Sequence, residues 1–90
     1  METYRGSIYK DDTLVADNIL IELEVVSKSG RPRSWHGQFN LPLDALVKFG
    51  ENANRIVLED GRQGFFVLDR LLTNSEGLRL FIFKGNGPLK

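Results

Sequence analysis

The chain has 90 residues, of which 41% are hydrophobic and 27% charged, and its formal net charge is zero. This length supports one domain with a small core, and the absence of cysteine excludes disulfides and thiolate metal sites. A neutral chain also lacks the overall positive field that is typical of a nucleic-acid-binding protein. The sequence contains no apolar stretch that fits a signal peptide or a membrane span, so we expect a cytoplasmic protein without membrane association.

Alternation of apolar and polar residues predicts β-strands along most of the chain. The odd positions of residues 19–26 are apolar while Glu22 and Glu24 face the other way, and residues 34–41 repeat the pattern with Trp35 on the apolar face. The predicted strands are Tyr4–Lys10, Ile19–Val26, Ser34–Leu41, Arg55–Glu59, Arg62–Asp69 and Leu78–Lys84.

These short strands, separated by turn-forming residues, predict an all-β fold. We expect a small, six-stranded, mainly antiparallel β-barrel or roll. A single domain would occupy residues 1–84, followed by a mobile tail over residues 85–90.

One segment departs from the alternation. Leu43, Leu46 and Phe49 fit helical spacing better, and Gly50 is a plausible helix stop. The pattern predicts one short helical segment near residues 42–49, which would cover part of the barrel.

The sequence EDGR at residues 59–62 lies between two apolar runs. Its central Asp-Gly pair predicts a two-residue hairpin turn, because that turn needs a positive φ at both central positions. This register pairs Glu59 with Arg62 across the strands and sets Ile56 beside Phe65.

Residues 65–68 and 80–83 are apolar on both faces of their predicted strands. A small barrel has one solvated face, so these strands need cover outside, either from the helical segment or from a second copy or another protein. Our leading hypothesis is therefore a non-enzymatic interaction module that self-associates or binds a protein partner. The predicted partner surface is Phe66, Leu68, Phe81 and Phe83, or the neighbouring side chains if the opposite set faces out.

A basic window without acids lies at residues 25–43. Our alternative hypothesis is an anion- or nucleic-acid-binding barrel that holds its ligand with Lys28, Arg31, Arg33 and His36. Trp35 falls on the apolar face of its strand, which argues against an exposed stacking platform beside them.

Catalytic chemistry finds little support in the sequence. His36 is the single histidine, and no nucleophilic triad or metal-ligand spacing is evident. We expect no catalytic residue, no metal and no cofactor. Glu22 and Glu24, about 7 Å apart along a strand, leave a weaker third hypothesis of a carboxylate enzyme, although a solvated acidic face explains them as well.

Overall fold

The computed structural model describes residues 1–27, 30, 33–42, 54–73 and 77–90, which form a closed β-barrel. Its strands are β1 Glu2–Lys10, β2 Thr13–Val26, β3 Ser34–Pro42, β4 Asn54–Leu58, β5 Gln63–Thr73 and β6 Leu78–Gly85. Neighbouring strands are antiparallel, and their order is β1-β2-β3-β6-β5-β4, with β4 closing on β1. The predicted all-β, six-stranded antiparallel barrel is confirmed.

The described residues contain every predicted strand, with shifted ends. The largest difference is in β2, which begins at Thr13 instead of Ile19. The helical segment predicted near residues 42–49 lies outside the described residues, except for Pro42, which is the last residue of β3. Within the described part of the chain, no helix has the length and apolar character needed to cross a membrane.

Alternate residues of the strands fill the barrel interior with apolar side chains. The buried hydrophobic residues are Ile8, Ile21, Leu23, Trp35, Phe39, Leu41, Ile56, Leu58, Phe66, Phe81 and Phe83. The Phe39 ring stacks on that of Phe81 with 5.2 Å between centroids and meets Phe66 edge-on at 6.1 Å. Such aromatic pairs add about 0.5–1.5 kcal/mol beyond the area they bury. These rings therefore help to fix which side of each strand faces inward.

The turn between β4 and β5 is one residue longer than the sequence predicts. The Leu58 amide donates to the Arg62 carbonyl at 2.8 Å and the Gly61 amide donates to the Leu58 carbonyl at 3.0 Å, so the loop has three residues. Gly61 has a φ of +95°, the left-handed conformation that such a loop needs at its last residue. The predicted two-residue turn and its Glu59–Arg62 ion pair are therefore wrong, and Arg62 binds Asp60 instead.

This longer turn decides which aromatic side chain of β5 faces outward. Ile56 pairs with Gly64 instead of Phe65. A shift of one residue in register moves every side chain of a strand to the opposite face. Phe66 consequently lies inside the barrel with 1% of its surface exposed, while Phe65 lies outside with 51% exposed.

The residues after β6 fold back onto the barrel, whereas the sequence predicted a mobile tail over residues 85–90. The Asn86 amide donates to the Phe65 carbonyl at 2.8 Å, and Gln63 and Lys90 exchange two backbone hydrogen bonds of 2.7 and 2.9 Å. Leu89 packs against the core. The tail therefore lies beside the start of β5.

Candidate functional site

The structure separates the residues that the sequence proposed as one anion site. Lys28 and Arg31 lie outside the described residues. Arg33 is exposed just before β3 and lines a cavity at one end of the barrel. His36 lies on the outer face of β3, where its Nε2 is 3.2 Å from a carboxylate oxygen of Glu24. Of the described pair, only Arg33 reaches the cavity.

This end cavity has a volume of about 640 Å³ and is built from four segments of the chain. Its described lining residues are Val25 from β2, Arg33, Ser34 and Trp35 at the start of β3, Arg62 after the β4–β5 turn, and Gly85, Gly87, Pro88 and Leu89 at the end of β6 and in the tail. Most of these described residues contribute apolar side chains or backbone to the lining, and two of them are arginines. A concave apolar surface with few polar groups is typical of small-molecule sites.

The indole of Trp35 forms a fixed wall of the end cavity. Its Nε1 donates a hydrogen bond of 2.9 Å to the Gly87 carbonyl, and the Phe83 ring meets it edge-on with 5.9 Å between centroids. Gly85 lies flat against the indole, since a Cβ at that position would lie 2.2 Å from two of its ring atoms. A Cβ added at Gly64 would lie 2.7 Å from another ring carbon of Trp35. Packing on several sides therefore holds this side chain in one orientation.

Arg62 is already partly engaged by its neighbours. Its Nε donates to Asp60 at 2.9 Å, and its guanidinium carbon lies 5.1 Å from the centre of the Tyr4 ring. Interaction with the Tyr4 hydroxyl first, and with Asp60 next, raises the pKa of Arg62. Hydrogen bonds from Arg62, first from its backbone amide, lower the pKa of Asp60. The positive charge of Arg62 at the cavity is thus partly neutralised.

The residues proposed as a partner surface point into the barrel instead of outward. Phe66, Phe81 and Phe83 have 1–2% of their surface exposed, and Leu68 packs against the core. Their assignment to the outer face is therefore corrected. The register of the β4–β5 hairpin turns Phe66 and Leu68 inward.

The opposite set of side chains, the second possibility that the sequence leaves open, faces outward on β5 and β6. We define the outer patch as Phe65, Val67, Leu72, Leu80 and Ile82. Phe65 and Leu72 are 51% and 48% exposed, and the other three are half-buried. Leu72 pairs directly with Leu80 across the two strands. The outer patch is thus an apolar strip along one side of the barrel, and Arg70 and Lys84 lie on the same outward face opposite Ile82 and Val67.

The outer face of β2 and β3 has the opposite character. Glu22 pairs with Gln38, which donates a hydrogen bond of 3.0 Å to its carboxylate, and Glu24 pairs with His36. Each of the two acids thus has its own cross-strand partner. Among the described residues, no group of three or more His, Cys, Asp or Glu side chains is placed to hold a metal ion.

Sequence reasoning missed most of the end cavity. The sequence predicts Arg62 as a surface ion-pair partner and Leu89 as part of a mobile tail. A usable signal was the pair Gly64 and Gly85, which lie on inward positions of two strands. Glycine at such positions indicates close approach of a large group, and Trp35 is the single tryptophan of the chain.

The fold places this protein among small, closed, antiparallel β-barrels, an architecture that hosts many unrelated functions. No family model matches the chain, and searches of curated proteins and of solved structures found no match.

Proposed function

We propose that the protein is a non-enzymatic β-barrel interaction module that binds a protein surface through the outer patch. The partner to test first is a second copy of the chain. The observation that carries the proposal is the contrast between two outer faces of one barrel. The face of β2 and β3 presents paired polar side chains at residues 22–24 and 36–38, with Leu20 as an exposed apolar residue beside them, whereas the face of β5 and β6 presents the five apolar residues of the outer patch.

This contrast has a simple physical basis. An antiparallel sheet with one face in water normally alternates apolar and polar residues, because only the inner face is buried. β2 and β3 follow that rule with Glu22 and Gln38. Phe65 and Val67 depart from it on the outer side of β5, and Leu80 and Ile82 depart from it on β6. Exposed apolar residues that form a contiguous patch are typical of protein contact sites.

The size of the outer patch suggests a modest affinity. Burial of apolar surface contributes about 25 cal/mol per Å², but association opposes this with the loss of translational and rotational freedom. Stable interfaces usually bury about 800 Å² on each partner, more than five side chains supply. We therefore expect a reversible dimer whose population depends on protein concentration.

The charges beside the outer patch give the salt dependence of this dimer. Arg70 pairs with Ile82 and Lys84 pairs with Val67, so two bases flank the apolar side chains. A twofold contact would bring these like charges near each other, and added salt would screen their repulsion. Self-association should therefore strengthen from low to moderate salt.

Sedimentation velocity over a concentration series tests the proposal. The double variant Phe65→Ser, Leu72→Ser removes the two most exposed members of the outer patch and should remain monomeric at concentrations where the wild type is dimeric. Leu20→Ser is the matched control, because Leu20 is 56% exposed but lies on β2. A wild type that stays monomeric throughout would contradict self-association. A dimer that survives the double variant would exclude the outer patch as its interface.

A further inference from the structure

We propose that the end cavity is a binding site for a small organic anion with a flat apolar body. The body would lie against Val25, Leu89 and the small part of Trp35 that is exposed, 3% of its surface, and the acidic group would bind Arg33 with support from Arg62. This site uses none of the outer-patch residues and is independent of the proposed self-association.

The shape of the end cavity fits a ligand of this kind. Small-molecule pockets usually measure about 300–1,000 Å³, and the end cavity measures about 640 Å³. Its aromatic wall is already formed, because Trp35 is held by the Gly87 carbonyl and by the flat backbone at Gly85. Because this side chain is already ordered, a ligand would bind without the entropy loss of immobilising it.

The charge at the end cavity favours an anion over a neutral or cationic ligand. Arg33 is exposed at its border and makes no ion pair or hydrogen bond with other described residues. Arg62 adds a second positive group, partly neutralised by Asp60. The described residues that line the end cavity include no acid. A guanidinium can hold a carboxylate, sulfonate or phosphate through two parallel hydrogen bonds.

A matched pair of probes separates the charge from the apolar body. 1-Anilinonaphthalene-8-sulfonate carries the flat body and an acidic group, and N-phenyl-1-naphthylamine carries the same body without the charge. Titration followed by probe fluorescence should show tighter binding of the sulfonate. Competition by 2-naphthoate and by 1-naphthyl phosphate then shows whether the site prefers a carboxylate or a phosphate.

Substitutions assign the binding to particular residues. Arg33→Gln should weaken sulfonate binding by about tenfold or more, as expected for the loss of a charge-assisted contact, and should change binding of the uncharged probe little. Arg70→Gln, an exposed arginine on β5 away from the end cavity, should leave both affinities unchanged. Val25→Phe should weaken both probes, because Val25 is 41% exposed and a larger ring there enters the end cavity.

The result that overturns this inference is sulfonate binding that is equally tight in the wild type and in Arg33→Gln, or no binding at all. Loss of binding in the Phe65→Ser, Leu72→Ser variant would also overturn it, because the probe would then occupy the outer patch. A dimer that dissociates in the outer-patch variant but persists in Arg33→Gln would show that self-association through the outer patch is independent of anion binding in the end cavity.

Discussion

At the scale of single residues, the contact between Trp35 and Gly85 shapes one end of the barrel. The indole fills the space that a side chain at position 85 would otherwise occupy. The large residue on β3 therefore requires a glycine on the neighbouring strand β6. Protein interiors are packed so densely that even one added methyl group changes the stability. The pair is therefore sensitive to any increase in size.

We expect Gly85→Ala to lower the free energy of unfolding by about 1–3 kcal/mol, the usual range for overpacking a filled interior. The new Cβ would lie 2.2 Å from indole atoms, and Trp35 cannot move freely because its Nε1 is bound to Gly87. Chemical denaturation followed by far-UV circular dichroism measures the change. The exposed neighbour Lys84→Ala should stay within about 0.5 kcal/mol of the wild type.

A second variant identifies the cause of that loss. If the indole is responsible, Gly85→Ala should be less destabilising in a Trp35→Phe background, where the smaller ring leaves room for the methyl group. Equal destabilisation in both backgrounds, or a stable Gly85→Ala protein, would contradict the contact as described.

At the scale of elements, the β4–β5 hairpin makes the folding stability depend on pH through Asp60 in its turn. Hydrogen bonds from Arg62 lower the pKa of this carboxyl from its ordinary value of 3.8. A group whose pKa is lower in the folded state stabilises that state above the unfolded pKa, and the contribution is lost as the pH falls through the folded pKa. Asp60 should therefore contribute to acid sensitivity below about pH 4.

Asp60→Asn tests this contribution. The amide keeps an oxygen for the Arg62 backbone amide, which donates to Asp60 at 3.0 Å, so the turn is preserved while the charge is removed. The variant should lose less stability than the wild type between about pH 6 and pH 2.5 in urea denaturation. Asp69→Asn serves as the control, since the side chain of Asp69 makes no hydrogen bond or ion pair with other described residues. An unchanged pH dependence in Asp60→Asn would contradict the coupling.

The same hairpin shows why the sequence predicts the positions of the strands but not which side chains of each strand point into the barrel. Apolar alternation locates a strand, but a one-residue change in turn length reverses the face that each side chain occupies. Asp-Gly fits a two-residue turn and also a three-residue turn that ends in glycine. The structure has the second, so Phe66 turns inward and Phe65 outward. In the apolar run at 80–83, both faces look alike in sequence, and alternation gives no choice.

The first part of β2 was missed for a different reason. Between the pairs Gly6–Ile19 and Ile8–Ala16, two residues of β2 oppose one residue of β1, which is a β-bulge. Asn18 has a φ of +52° there. Ala16 and Ile19 both pack against the core although they are three positions apart. A search for period two therefore stops at the bulge.

At the scale of the whole molecule, the barrel followed from strand patterns, whereas the end cavity did not. Val25, Arg33, Arg62 and Leu89 come from four separate segments, and only the closed order of the strands brings them together. Local patterns carry no information on such an arrangement. The tail added a further obstacle, because its glycines and short length are typical of a free end, yet Leu89 packs on the core.

The packing of the tail leads to a prediction about how the molecule unfolds. Trp35 contacts β6 and the tail, so its fluorescence reports on the end of the barrel, while far-UV circular dichroism reports on all the strands. If the tail belongs to the same cooperative unit as the barrel, both signals should give one denaturation midpoint, as expected of a small two-state domain. Leu89→Ala should lower both midpoints together, by an amount that corresponds to about 1–3 kcal/mol for a partly buried leucine. A fluorescence transition that precedes the circular dichroism transition would instead show that the tail and Trp35 open before the barrel. In that case the end cavity would exist only in part of the folded population, and its affinity for an anion would fall by the same fraction.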